Sequence, residues 1–154
     1  MKTCFLFGHS DASLDLKPEI QRAMENQYTQ FGITKFIMGH YGNFDRMAIS
    51  AGRAIKAQHP EISLFLLIPY HPAQKPLELP RDFDGTFYPP GMETTPKRLA
   101  IVKANQYMVS VADAIICYVK HPGNSRILLQ SAERRAKRTG IPLMNLAPTP
   151  QSAD

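Results

Sequence analysis

The chain has 154 residues, 44% of them apolar and 20% charged, with a net charge of +5. That length suits one domain able to bury roughly 70% of its extended surface around a single core, and the composition argues against disordered and fibrous classes. No apolar run approaches the ~20 residues needed to cross a bilayer, and Met1-Lys2-Thr3 enters a strand-like segment without a signal-peptide cleavage site, so a cytoplasmic protein without membrane contact is expected.

The elements alternate. Thr3-Cys4-Phe5-Leu6-Phe7 reads as a first strand, followed by Gly8-His9-Ser10-Asp11 and a helix opening near Pro18, with Ile20, Ala23, Met24, Gln27 and Phe31 on helical spacing and Gly32 as its stop. Lys35-Phe36-Ile37-Met38 is a second strand leading into Gly39-His40-Tyr41-Gly42-Asn43-Phe44-Asp45 and a small-residue helix through Met47, Ala48, Ala51, Ala54 and Ile55. Ile62 to Ile68 is apolar at nearly every position, as a strand covered on both faces should be.

Periodicity then breaks from Pro69 to Pro96, except around Thr86-Phe87-Tyr88, in a stretch that holds seven of the thirteen prolines. A stretch this long inside one domain reads as an ordered cover over the site. A helix from about Lys97 to Val111, a strand Ala114 to Val119, the loop His121-Pro122-Gly123-Asn124-Ser125, a basic helix ending at Gly140 and a strand Pro142 to Leu146 complete the pattern. The expectation is one α/β domain over residues 1–147, a Rossmann-like three-layer sandwich with a five-stranded, mainly parallel sheet in the order 3-2-1-4-5, and a flexible tail over 148–154.

Cys4 and Cys117 lie within apolar strand runs and read as buried thiols, not catalytic groups. Arg134, Arg135, Lys137 and Arg138 concentrate positive charge on one helix; such a run is ordinarily a solvated face, and no exposed aromatics interleave it, so nucleic acid is not the expected partner.

In open parallel sheets, ligands bind beyond the carboxyl ends of the strands, where strand order reverses. With the order above, that point lies between the first and fourth strands, beside the Gly8–Asp11 and His121–Ser125 loops, with Gly39–Asp45 alongside. Each loop joins glycine to small polar residues just before a helix, so backbone N–H groups and the helix dipole can face a phosphate; turns and N-caps are the plainer reading of any one of them. This gives Gly8, His9, Ser10, Gly39, His40, Tyr41, Gly42, His121, Gly123, Asn124 and Ser125 as candidate binding residues, with Ser125 starting its helix.

His9, His40, His71 and His121 each follow a strand and fall at one sheet edge, yet no pair has metal-motif spacing, so no metal and no cofactor are expected. On the helix from Lys97, the three-and-four spacing puts Arg98, Ile101, Asn105 and Met108 on one face. Asn105 needs a partner there, either loop backbone or a ligand hydroxyl, and Arg98 is placed to reach a phosphate or solvent.

Taken together, Phe7-Gly8-His9-Ser10-Asp11, Gly39 to Asp45, Tyr88-Pro89-Pro90-Gly91, Arg98 with Asn105, and Tyr118-Val119-Lys120-His121 before Gly123 resemble the SLOG superfamily, which includes the lonely-guy phosphoribohydrolases and the DNA-processing protein family. The likeness runs along nearly the whole chain and is greatest to the uncharacterised bacterial branch, where Gly-His-Arg-Asp follows the first strand; here Ser10 stands in place of the arginine. The resemblance implies a Rossmann-like, often dimeric domain that binds a nucleotide or a derivative of the NAD or ADP-ribose kind, as a sensor or carrier. A small-molecule nucleotide-type ligand and a homodimer or higher homo-oligomer are therefore the expected partners.

Lonely-guy enzymes carry Pro-Gly-Gly-x-Gly-Thr-x-x-Glu after the fourth strand, whereas this chain has Pro122-Gly123-Asn124-Ser125, with the glutamate position near Leu128 or Leu129 and Glu133 beyond it. The phosphate cradle is partly kept and the glutamate is missing. The alternative, an N-glycosidic hydrolase or transferase acting on a nucleoside monophosphate, would need its carboxylate from Asp11 or Asp45, with His9 or His40 protonating the leaving base. Asp45 is equally suited to cap its own helix.

Overall fold

The strand runs read from the sequence pair side by side in the computed structural model, which describes residues 2–148. The strands are β1 (Thr3–Gly8), β2 (Lys35–Met38), β3 (Ser63–Leu67), β4 (Gly85–Phe87), β5 (Ala114–Tyr118) and β6 (Leu143–Asn145). The helices are α1 (Lys17–Phe31), α2 (Asn43–Gln58), α3 (Ala100–Val111) and α4 (Asn124–Thr139). All neighbours are parallel, in the order β4-β3-β2-β1-β5-β6. The expected order of the five strands read from the sequence is reproduced, and the sheet has six strands instead of five because β4 adds an edge within the proline-rich segment.

That edge is three residues long, too short to read as a strand from the sequence. Its register, Phe65↔Gly85 to Leu67↔Phe87, is anchored by Asp84, whose carboxylate accepts the Leu64 N–H at 2.8 Å and the Lys56 ammonium at 2.8 Å. The Asp84 N–H in turn bonds the Leu64 carbonyl at 2.8 Å.

Alternation along β1 supplies both faces of the core. Cys4 and Leu6 point to the layer of α1 and α2, with Ile20, Met24, Phe36, Met38, Phe44 and Ile55. Phe5 and Phe7 point to the layer of α3 and α4, with Ala104, Met108, Ile115, Cys117 and Leu128. Both thiols are fully buried and burial raises their pKa, as expected of structural cysteines. Pro18 sits in the first turn of α1, and Gly32, at φ 68°, ends it with its N–H on the Gln27 carbonyl.

The helix expected from Lys97 begins as a 3₁₀ turn over Lys97–Leu99 and becomes α-helical at Ala100. At its far end, the Arg135 guanidinium on α4 donates to the Val109 and Ala112 carbonyls, so one of the four clustered basic residues pins α4 to α3. Among the described residues, no helix is long and apolar enough to cross a membrane. The tail expected to fray lies, from residue 149 onward, outside the described residues.

Candidate ligand pocket

β1 is the point from which the chain winds outward in both directions, to β2 on one side and β5 on the other. A cavity of about 350 Å³ opens there, beyond the carboxyl ends of β1, β2 and β3, and is closed laterally by α3 and the start of α4. Of the residues singled out from the sequence, Gly8, Ser10, Gly39, Tyr41, Gly42, Asp45, Asn105, Asn124 and Ser125 line it. His9, Asp11, His40, Arg98, His121 and Gly123 do not. Sequence reading missed Leu67, Val102, Gln106, Ile127 and Leu128, although the helical spacing of Ile101, Asn105 and Met108 already pointed to this flank of α3. Of the proline-rich segment, Pro69 alone lines this cavity, so the expected cover does not close over it; Gly85–Phe87 of the segment form the sheet edge.

The glycines are there for packing between loops. A Cβ on Gly8 would lie 2.5 Å from the Phe44 ring, one on Gly42 would lie 2.5 Å from the Ser10 Cα, and one on Gly39 would lie 2.9 Å from an Asp45 carboxylate oxygen. The first two of these contacts draw the segment after β2 onto the loop after β1, and the third folds the β2 end against the start of α2. The start of α2 is spent in the same way, since the Asn43 and Phe44 N–H groups bond the Ser10 and His9 carbonyls at 2.9 and 3.4 Å. It therefore offers those two donors to no ligand.

The start of α4 differs. Gly123, at φ 140°, holds the N-cap position that a side chain would strain. Ser125 is thus the second residue of α4, not its cap, and the Asn124 and Ser125 N–H groups bond no acceptor among the described residues. Two donors, a serine hydroxyl and the positive end of a four-turn helix face the cavity. Arg98 stays exposed on the turn before α3. The Asn105 side chain lines the cavity and bonds no loop backbone among the described residues, the first of the two partners expected for it.

His9 does something the sequence did not show. Its Nε2 accepts the N–H groups of Lys120 and His121, at 2.8 and 3.2 Å, tying the loop after β1 to the loop after β5. Burial, then the neighbouring His121, lowers its pKa, against a smaller upward pull from Asp11. The ring is therefore neutral at pH 7 and carries its proton on Nδ1. His121 is raised by the Pro122 carbonyl and then by Asp11, which it meets at 3.2 Å in the open.

His9, Asp11 and His121 bring ligand atoms within 4.8 Å of one another. The two imidazoles, however, stack with centroids 3.7 Å apart and planes inclined by 5°. Lone pairs in parallel planes do not converge on one ion about 2.0–2.1 Å from each nitrogen, and His9 Nε2 is already committed. This arrangement is a latch between loops.

Removing the latch should cost stability in a pH-dependent way. A histidine whose folded pKa lies below its unfolded value contributes stability that is complete above the unfolded pKa, about 6.5, and is lost as pH falls through the folded pKa. His9→Ala, which strands two N–H groups, is expected to lower unfolding free energy by about 2 kcal/mol at pH 7.5 and by less at pH 5. Urea unfolding at the two pH values checks this; an equal loss at both would contradict it.

Asp45, third residue of α2, accepts the Tyr41 N–H on Oδ2 at 3.0 Å and lines the cavity. Asp45 does not cap its helix, whose N-cap is Gly42 without a side-chain bond; its carboxyl braces the turn before the helix and faces the pocket. Burial raises its pKa to about 6, opposed by the Tyr41 hydrogen bond. Asp11, the other candidate acid, is exposed beside His121 and is held below the usual carboxylate range by that hydrogen bond.

No family model and no curated protein matches this chain.

Proposed function

We propose that the cavity binds a nucleotide or nucleotide derivative, and that the chain is a SLOG-type sensor or carrier domain. The observation that carries this is the pairing, in one cavity, of an apolar wall from Leu67, Pro69, Ile101 and Val102 with the unbonded start of α4. A planar base suits the first and a phosphate the second. Asn105 and Gln106 also line the cavity and offer amides for ribose hydroxyls. A homo-oligomer would also bury the exposed Val102 and Ile127, which line the cavity.

Thermal shift against nucleoside monophosphates, NAD and ADP-ribose tests the reading. A ligand at a hundred times its Kd stabilises the fold by about 2.7 kcal/mol. Ser125→Ala removes a hydrogen bond to a charged group and is expected to weaken binding about tenfold. No shift with any member of that panel would sink the proposal.

Asp45 favours a second reading, cleavage of an N-glycosidic bond. Above its pKa the carboxylate would stabilise an oxocarbenium-like transition state, and below it the acid would protonate a leaving base. His9, with Nε2 occupied, is not available to share that work. Free base released by wild type and absent with Asp45→Asn, while binding persists, would select this reading over the sensor.

A further inference from the structure

Two smaller cavities lie next to the main one. The first, about 230 Å³, shares Tyr41 and Pro69 with it. The second, about 250 Å³, shares Tyr70 and Lys75 with the first and is completed by Gln74 and Lys97. Through these shared walls the three form a row of neighbouring cavities, the first lined by the start of α4 and the last by Lys97.

The far end of the row is positively charged and unpaired. Among the described residues, neither Lys75 nor Lys97 has a carboxylate within 4.0 Å. The Lys75 ammonium lies 5.2 Å from the centre of the Tyr70 ring, whose hydroxyl donates to the Lys97 carbonyl at 3.0 Å and fixes the aromatic wall between the two. His40, on the wall of the middle cavity, has a buried Nδ1 with no hydrogen-bond partner among the described residues. Both lysines line this recess without a carboxylate partner, which suits it to an anion.

We propose that Lys75 and Lys97 form a second anion subsite, so that the ligand is a nucleotide with two separated anionic groups, one at the start of α4 and a phosphate-bearing arm between the lysines. The inference rests on the nucleotide reading for the first group only. The Tyr70 ring and Lys75 stem would flank the arm, and the passage past Tyr41 and Pro69 would hold the linking atoms.

Titrating the full chain with inorganic pyrophosphate, followed amide by amide in NMR spectra, tests the two groups separately. Two sets of shifts are expected, one at Asn124 and Ser125 and another at Tyr70, Gln74 and Lys75. The double substitution Lys75→Ala/Lys97→Ala should abolish the second set and leave the first. Absence of the second set, or its persistence in the double variant, would overturn the subsite while leaving the main pocket intact. Absence of the first set alone would count against the nucleotide reading and support the lysines as an anion site in their own right.

A ligand that bridges both groups gains from the high effective concentration of its second arm. Adenosine 3′,5′-bisphosphate is expected to bind wild type at least about tenfold more tightly than adenosine 5′-monophosphate, and no more tightly in the double variant. Equal affinities in wild type would contradict a two-anion ligand.

Discussion

Replacing Gly8 by alanine is expected to cost about 1–3 kcal/mol of stability, through overpacking at a site where nothing can yield cheaply. The new methyl would sit 2.5 Å from Cγ of Phe44, a ring with no solvent exposure that closes the core under the α2 start. Removing the ring by Phe44→Ala should cost more, about 3–5 kcal/mol, because it leaves a cavity. In the double variant the methyl enters the space the ring has left, so the combined loss should fall short of the sum. Urea unfolding of the four proteins measures the coupling. Additive losses would show that Gly8 and Phe44 do not meet in solution, and the packing account of the loop after β1 would fail.

Asp45 should make the fold less stable as pH rises. Its folded pKa, about 6, lies above the ordinary carboxylate value. Between the two values the folded chain holds a proton that the unfolded chain releases, so the stability due to Asp45 is complete below pH 4 and declines up to about pH 6. Above that, the ionised carboxylate leaves the fold at most about 3 kcal/mol weaker than when protonated. Asn keeps an oxygen for the Tyr41 N–H and carries no charge. Asp45→Asn is thus expected to equal wild type near pH 4 and exceed it by a growing margin up to pH 7. The difference between the two curves isolates Asp45 from His9, whose contribution runs the opposite way. A difference that does not vary with pH would mean that the carboxyl is not desolvated. Any activity dependent on Asp45 should change over the same interval around pH 6.

The sheet was legible where strands are apolar along their whole length. Cys4 to Phe7 and Ala114 to Cys117 are buried on both faces and read without ambiguity. β4 showed only as a trace of period around Thr86-Phe87-Tyr88 and was not read as a strand, because a three-residue edge with an exposed Thr86 is too short. It is held by Asp84, a residue that reads as part of a loop.

The pocket was legible as a place and less so as a set of side chains. Loop position correctly brought Ser10, Tyr41, Asp45, Asn124 and Ser125 to one edge, since strand ends fix where loops start. Ring direction is another matter. His9 lies in the expected loop, but its imidazole turns to the backbone of Lys120 and His121, an interaction between residues more than a hundred positions apart. No local spacing encodes that contact. The same holds for the start of α2, whose first N–H groups are taken by carbonyls of the loop after β1.

The central claim is tested most directly by a crystal structure of the protein soaked with adenosine 5′-monophosphate. The expected result is phosphate oxygens within hydrogen-bond distance of the Asn124 and Ser125 N–H groups, with the base against Ile101 and Val102. Density for the nucleotide elsewhere, or an empty cavity at saturating ligand, would contradict the account.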